Sequence, residues 1–502
     1  MKENNYTPLY TALMEYSKSK KPFHMPGHKL GTFGDMKEMD FTALDVTEAN
    51  GLDNLYEAEG IIQGAMKEMS RFYGANQTIF LTNGSTAGIL ASLMTLCKPG
   101  DEVLIARNCH HSVWHALVLI GAIPIYIQPE EDKNLGLMTV MTADRVREAI
   151  KLYPNVKGAI IVSPTYEGIV SDIEGIARVL HEARKCLIVD EAHGAHFVVN
   201  NVFPTSSVGL GADIVIQSMH KTMPTLTQSG LLHLGTDLVS YDKLVKSLRM
   251  TQTSSPSYAM MATMDYMRAY VETHLVEIEA QYVKPLQEMR MRLRNMKKLY
   301  LLELPYESYD ISKIIIFTHR SRIDGYTLGQ YLEEYYGIVA EATLPHYIIL
   351  MTTVADNKIT LSGLEEALTT IDKVLELDNI EGLIHNPNET LTDKGQSADL
   401  YCSQLTQVMN ELLSIHKGMY TPREVYYGES KWLSLEYCLG KVAAESIMFY
   451  PPGIPILYMG EVFQEKHIEL IKKYADKLKG ICYKNLNEKK EINCKVLDIP
   501  LK

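Results

Sequence analysis

The chain is 502 residues long, which at about 150 residues per domain predicts roughly three domains. Hydrophobic residues make up 46% and charged residues 22%, which excludes a disordered chain and a disulfide-stapled miniprotein. A net charge of −12 argues against a nucleic-acid partner held through its phosphate backbone. The opening MKENNYTPLY lacks the apolar core of a signal peptide. The most apolar run, LVLIGAIPIYI at 117–127, is interrupted by Gly121 and Pro124 and is too short for a membrane span, so no membrane partner is expected. Seven cysteines (97, 109, 186, 402, 438, 482 and 494) form no CxxC pair, and they read as reduced, mostly buried thiols of a cytoplasmic protein.

In chain order, PLYTALMEYSKSK near the start has helical spacing, and residues 21–58 form an irregular arm that begins near PFHMPGHK. A helix over EGIIQGAMKEMSRFYG leads into the strand TIFLT. Short apolar strands then alternate with helical segments: EVLIAR (102–107), IPIYIQ (123–128), GAIIVSP (158–164), KCLIVDEA (185–192) and ADIVIQSMH (212–220). Such alternation predicts an α/β domain with a mostly parallel central sheet covered on both faces. GLLHLG (230–235) follows too soon for a helical crossover and is expected to be antiparallel. Residues 258–300 read as a long helical stretch without Gly or an early Pro. A smaller α/β portion follows, with strands KIIIFTH (313–319) and YIILMTTV (347–354). Then come a polar linker at 385–399 and a third module containing TPRE and YPPGIP. The predicted division is 1–58 (helix and arm), 59–270 (large domain), 271–384 (small domain) and 385–502 (linker and C-terminal domain).

Four segments at strand ends carry chemistry: TNGSTAG (82–88), RNCHHS (107–112), VDEAHGAH (189–196) and SMHK (218–221). Ligands of open α/β sheets bind at the carboxyl ends of the strands, which would gather all four. Together they supply what pyridoxal phosphate needs. The Lys221 amine can form an imine with the aldehyde, and the Asp190 carboxylate can keep the ring nitrogen protonated. A Gly-Ser-Thr turn at a helix start offers N–H groups and hydroxyls to the phosphate. An imidazole can lie flat on the ring. Each feature alone has a blander reading: a surface lysine, an N-cap, a capping histidine. The pairs His111/His115 and His193/His196 invite a metal, but HExxH and a Cys ligand set are both absent, so no metal is expected.

The ordered motifs PFHMPGHK, TNGST, RNCHHS, SPTYEG, VDEAHGAH, SMHKTMPTLTQSG, TSSPSY, TPRE and YPPGIP resemble the Orn/Lys/Arg decarboxylases. These belong to the fold-type I pyridoxal-phosphate enzymes, related in fold to aspartate aminotransferase. Without a long receiver-like domain ahead of the motifs, the chain is similar to the shorter, Gram-positive type. The resemblance implies a fold-type I large domain, a smaller α/β domain and a C-terminal α+β domain. It also implies that Lys221 binds the cofactor, Asp190 pairs with the ring nitrogen and His110 stacks on the ring. Ser85 and Thr86, joined by Ser218 and His220, would hold the phosphate, and His193 would reach the phenolic oxygen. His220 and Lys221 are both candidates to return a proton to Cα. Three departures stand out: His111 where a Lys is common, Glu167 where an aromatic residue is usual, and a TNGST one residue shorter than in some relatives.

The implied reaction is decarboxylation of a basic amino acid, arginine to agmatine and CO2 first, as a step toward polyamines, with lysine or ornithine as alternatives. A distal cation needs a carboxylate. Candidates are Glu445, Asp45 and Asp53, with Glu48 in the same arm. Family likeness favours Glu445. PFHMPGHK is expected to line a substrate channel. A homodimer or larger assembly with sites at the subunit interface is also expected. The competing functions are another reaction on the same cofactor (aminotransferase or α-oxoamine synthase) and a non-catalytic regulatory homologue.

Overall fold

Seven of the apolar runs between residues 77 and 234 join one sheet, in an order that the chain reaches by crossovers. The protein is described from a computed structural model, which covers residues 7–132, 135–377, 415–449, 454–475, 478–486 and 489–498. The expected linker at 385–399 and Tyr450–Gly453 of YPPGIP lie outside the described residues. From one edge the eight-stranded sheet runs His416–Lys417, Ile123–Ile127, Glu102–Ala106, Gly158–Val162, Cys186–Asp190, Ile214–Gln217, Gly230–Leu234 and Gln77–Leu81. The strands from Ile123–Ile127 to Ile214–Gln217 are parallel. Gly230–Leu234 is antiparallel to both of its neighbours, as its short connection requires. Helices cover the sheet, so its central strands are buried on both faces and read as unbroken apolar runs rather than alternating ones.

The long helical stretch departs from expectation. It breaks at His274, between helix Tyr258–Thr273 and the short helix Leu275–Ile278. Thr273 Oγ1 donates back to the carbonyls of Ala269 and Tyr270, an alternative to continuing the helix. A π-turn over Glu279–Val283 then precedes helix Lys284–Leu293. Pro285 has no N–H to give the preceding turn, and the widened turn accommodates that.

The smaller portion is an antiparallel sheet ordered Tyr300–Leu301, Lys313–Phe317, Tyr347–Met351 and Ala342–Thr343. Helices Gly325–Tyr336 and Lys358–Glu376 accompany it. The N-terminal arm is tied to this portion. Its strand Lys21–Phe23 pairs in parallel with Ile338–Ala340. Lys29 is buried, donates to the carbonyls of Pro22 and Met351 and lies 3.6 Å from Asp356. Gly27 donates its N–H to the His220 carbonyl at 2.7 Å. A Cβ there would come within 2.6 Å of the Met223 oxygen, so only glycine lets the arm lie against the segment that carries Lys221.

The C-terminal part has its own core, including Leu435, Ile447, Phe463 and Ile471. It docks on the large sheet through His416–Lys417 and through the buried pair Arg107–Glu461 at 2.6 Å. Among the described residues no helix is long and apolar enough to cross a membrane.

Candidate active site

Four turns at the carboxyl end of the sheet meet around one cavity of about 400 Å³. Strand Cys186–Asp190 delivers Asp190 and, one turn later, His193. Strand Ile214–Gln217 runs into the short helix Met219–Thr222, which carries Lys221. Strand Gln77–Leu81 leads to helix Gly84–Leu96 and Ser85, and Glu102–Ala106 leads to Asn108 and His110. Ser85, His110, Asp190, His193 and Lys221 all line the cavity, and Glu445 lines it from the C-terminal part.

Lys221 Nζ lies 3.1 Å from His193 Nε2. Burial pushes the Lys221 amine below its usual range, while Asp190 and Glu341 pull the other way. The amine therefore spends more time neutral, the form that attacks a carbonyl. Asp190 is fully enclosed, and burial raises its carboxyl against the pull of Lys221 and the Ala192 N–H. The His110 ring is pushed down to about 3 by burial and by neighbouring His111, Lys221 and His115. It stays neutral, with Nδ1 fixed 2.9 Å from Ser112 Oγ.

The start of helix Gly84–Leu96 has no side-chain cap; the Asn83 side-chain Oδ1 accepts from the Thr253 N–H instead. Gly84 sits at φ +72, a turn that favours glycine. The uncapped first turn faces a pair of hydroxyls, Ser218 Oγ donating to Ser85 Oγ at 2.8 Å. Such a turn is suited to an anion. Asn108 Oδ1 is buried at the cavity wall without a hydrogen-bond partner among the described residues.

Other expected residues lie elsewhere. Thr86, Ser218 and His220 do not line the cavity. Ser218 joins it only through Ser85, and His220 Nδ1 lies 2.8 Å from the Ser229 carbonyl. Asp45 is exposed. Asp53 is a correction: both of its oxygens are occupied by backbone N–H groups at the start of helix Ile61–Tyr73, so it is not free to hold a substrate cation. No residue of PFHMPGHK lines the cavity of its own chain. In TSSPSY, Ser257 caps the following helix, and Tyr258 donates its hydroxyl to the Asp53 carbonyl. Four groups went unnoticed in the sequence. Tyr166 lines the cavity and donates to Glu341 at 2.8 Å, Asn108 lines its wall, and Lys313 reaches His193 from the small sheet. Asn108 and Tyr166 sit inside the motifs RNCHHS and SPTYEG, whereas Glu341 and Lys313 arrive from distant segments without a signal of their own.

A mostly parallel sheet, a partly buried lysine just past a strand end and a buried acid at the end of the neighbouring strand define a fold-type I pyridoxal-phosphate enzyme, and pyridoxal 5'-phosphate is its cofactor. The residues fit that group. The uncapped helix start suits its phosphate, Asp190 its ring nitrogen and the Lys221 amine its aldehyde. The family model "Orn/Lys/Arg decarboxylase, major domain" matches residues 7–306, and the C-terminal domain model of the same family matches 404–481. The chain belongs to this family of decarboxylases. It is 32% identical to an arginine decarboxylase of Bacillus subtilis over 484 residues, 94% of each chain. It is 23% identical to the constitutive lysine decarboxylase of Escherichia coli, covering 92% of this chain and 76% of that one. The crystal structure of the Francisella novicida lysine decarboxylase LdcF has the same fold, with a TM-score of 0.76 at 18% identity over 99% of this chain and 82% of that one.

Proposed function

We propose that this enzyme decarboxylates L-arginine to agmatine and CO2. The observation that carries the reading is the meeting of Lys221, Asp190 and Glu445 at one cavity. The chain's greater identity to an arginine decarboxylase than to a lysine decarboxylase supports arginine as the basic amino acid.

When bound, the cofactor supplies an electron sink for the pair left behind as CO2 departs. Lys221 would hold the cofactor by its aldehyde. Asp190 is buried with one hydrogen-bond donor, the Ala192 N–H, so a protonated ring nitrogen would relieve its burial and keep that sink charged. His110, neutral and fixed by Ser112, offers a flat face to the ring. The Lys221 amine lines the cavity and His220 does not, which supports Lys221 as the group that returns a proton to Cα. The reaction consumes one proton for each CO2 released.

Glu445 makes no ion pair with a described residue and lines the wall contributed by the C-terminal part, which supports it as partner of the substrate's distal cation. Helix Pro8–Ser19 has no buried residue, and Leu9, Tyr10, Leu13 and Met14 lie exposed along one face. That face supports a homodimer, which sedimentation would detect. The six described cysteines are free thiols, which supports a reducing, cytoplasmic setting.

Incubating the purified holoenzyme separately with arginine, lysine and ornithine tests the reading. Agmatine from arginine, at the highest kcat/KM, supports it. Cadaverine or putrescine as the preferred product reassigns the substrate, and a keto acid or no amine overturns the decarboxylase reading.

A further inference from the structure

The cavity walls come from two parts of the chain, and a residue outside the cavity ties them together. Asn108, His110 and Trp114 line it from the large domain, and Glu445, Ser446 and Tyr458 from the C-terminal part. Arg107, just past strand Glu102–Ala106, is buried and does not line the cavity. Its guanidinium holds Glu461 as a fork, with Nη1 2.6 Å from Oε1 and Nη2 3.2 Å from Oε2. A two-point contact of this kind fixes orientation as well as distance.

Further contacts stiffen the joint. The guanidinium carbon lies 4.6 Å from the centre of the Tyr458 ring, which is itself stacked on Trp114 at 4.5 Å and on Tyr126 at 5.0 Å. Tyr458 donates its hydroxyl to the Arg107 carbonyl. The Glu461 carboxylate accepts the Tyr458 N–H at 2.9 Å, and its Oε1 lies 2.7 Å from His416 Nε2.

The joint reaches Glu445 through the backbone. Ala443 N–H donates to the Glu461 carbonyl and Gly460 N–H to the Ala443 carbonyl, both at 2.8 Å. Met459 N–H donates to Ser446 Oγ at 3.1 Å. Glu445 stands between these two ties. The fork therefore sets where Glu445 lies relative to His110, which belongs to the same turn as Arg107. Stability alone does not call for such a pair, because a buried ion pair recovers little more than its desolvation cost and apolar side chains often dock as well. An apolar contact lacks direction, however, and lets one wall slide over the other.

We propose that Arg107 is a positioning residue whose fork with Glu461 fixes the distance from the cofactor to Glu445, so that the cavity holds a guanidinium at the reach of an arginine side chain. This rests on the reading of Glu445 as partner of the substrate's distal cation.

The test is a double-mutant cycle on the holoenzyme, read by titration calorimetry with agmatine and by KM and kcat for arginine. Arg107→Met combined with Glu461→Leu removes both charges, so that neither is left buried alone. This clamp variant should bind agmatine about tenfold more weakly and raise KM by a similar factor, with a smaller change in kcat and the visible absorbance of the cofactor kept. Arg107→Lys keeps the charge, loses the fork and should shift both in the same direction. Glu445→Gln should weaken agmatine about tenfold in the wild-type background but add less than about threefold in the clamp variant, where the carboxylate is already misplaced.

A folded clamp variant with wild-type affinity for agmatine overturns the proposal. So does a loss confined to kcat, or one that comes with loss of the cofactor absorbance, since either marks a joint that is only structural. Should the apolar pair fail to fold, Arg107→Lys decides on the same readings. A Glu445→Gln change without effect in the wild-type background strikes the Glu445 reading and the proposal with it. A Glu445→Gln effect that persists in full in the clamp variant strikes the proposal and leaves the Glu445 reading standing.

Discussion

Asp53 and Asp190 are both buried aspartates, but the backbone treats them differently. Asp53 accepts N–H groups from Asn54, Glu59, Gly60, Ile62 and Gln63, at 2.8–3.3 Å. Burial works to raise its carboxyl, but these donors outweigh it and hold the group below the usual range. Asp190 accepts one such bond, from Ala192, and there burial wins and the carboxyl is raised. A carboxylate filled by its own backbone is complete as structure. One left underfilled beside a cavity is ready for a cation from outside the chain. Lys29 and Lys313 repeat the contrast: the first is bound by two carbonyls and faces an aspartate, the second meets an imidazole.

The largest effect should come from the cavity side of this comparison. Lys221→Ala should lower kcat by roughly a thousandfold or more and abolish the lysine-linked visible absorbance, measured on the purified protein. Asp190→Ala should still bind some cofactor but lose on the order of 10²–10³ in kcat. A variant as active as wild type would remove the electron-sink role. Asp53→Asn should reverse the pattern, with kcat nearly kept and unfolding stability reduced by about 2 kcal/mol in urea titrations.

Acid titration sharpens the contrast further. The folded value of Asp53 is depressed, so its stabilisation is present above the unfolded value near about 4 and is lost as pH falls through the lower folded value. The gap between wild type and Asp53→Asn should therefore close in acid. Asp190 in the cofactor-free protein has a raised folded value, so its contribution lowers stability as pH rises above about 4. Asp190→Asn should flatten that part of the curve. The smallest effect expected is in Glu445→Gln, a rise of about tenfold in KM for the basic amino acid with a lesser change in kcat, consistent with the loss of one charge-assisted contact. An unchanged KM would remove Glu445 from the substrate's distal end.

The strands, the antiparallel Gly230–Leu234 and the group Lys221, Asp190, His193, His110 and Ser85 were all legible before any coordinates. Each depends on residues close in sequence: an apolar run sets the strand, and the residue just past its end is set at the sheet's carboxyl edge. The helix break at His274 was hidden, because Thr273 and His274 have no breaker signal of their own. Asp53, one of the candidate acids, fails as a cation partner because a carboxylate's availability depends on which N–H groups fold around it. Lys313 lies 120 residues from His193, and Glu341 lies 175 from Tyr166. The sequence alone determined the parallel core of the sheet, the positions of Lys221 and Asp190 at its carboxyl edge and the family. Only the tertiary structure decided which buried charges are satisfied by their own chain and which are left for chemistry, because hydrogen bonding and desolvation depend on neighbours that chain folding, not chain order, brings together.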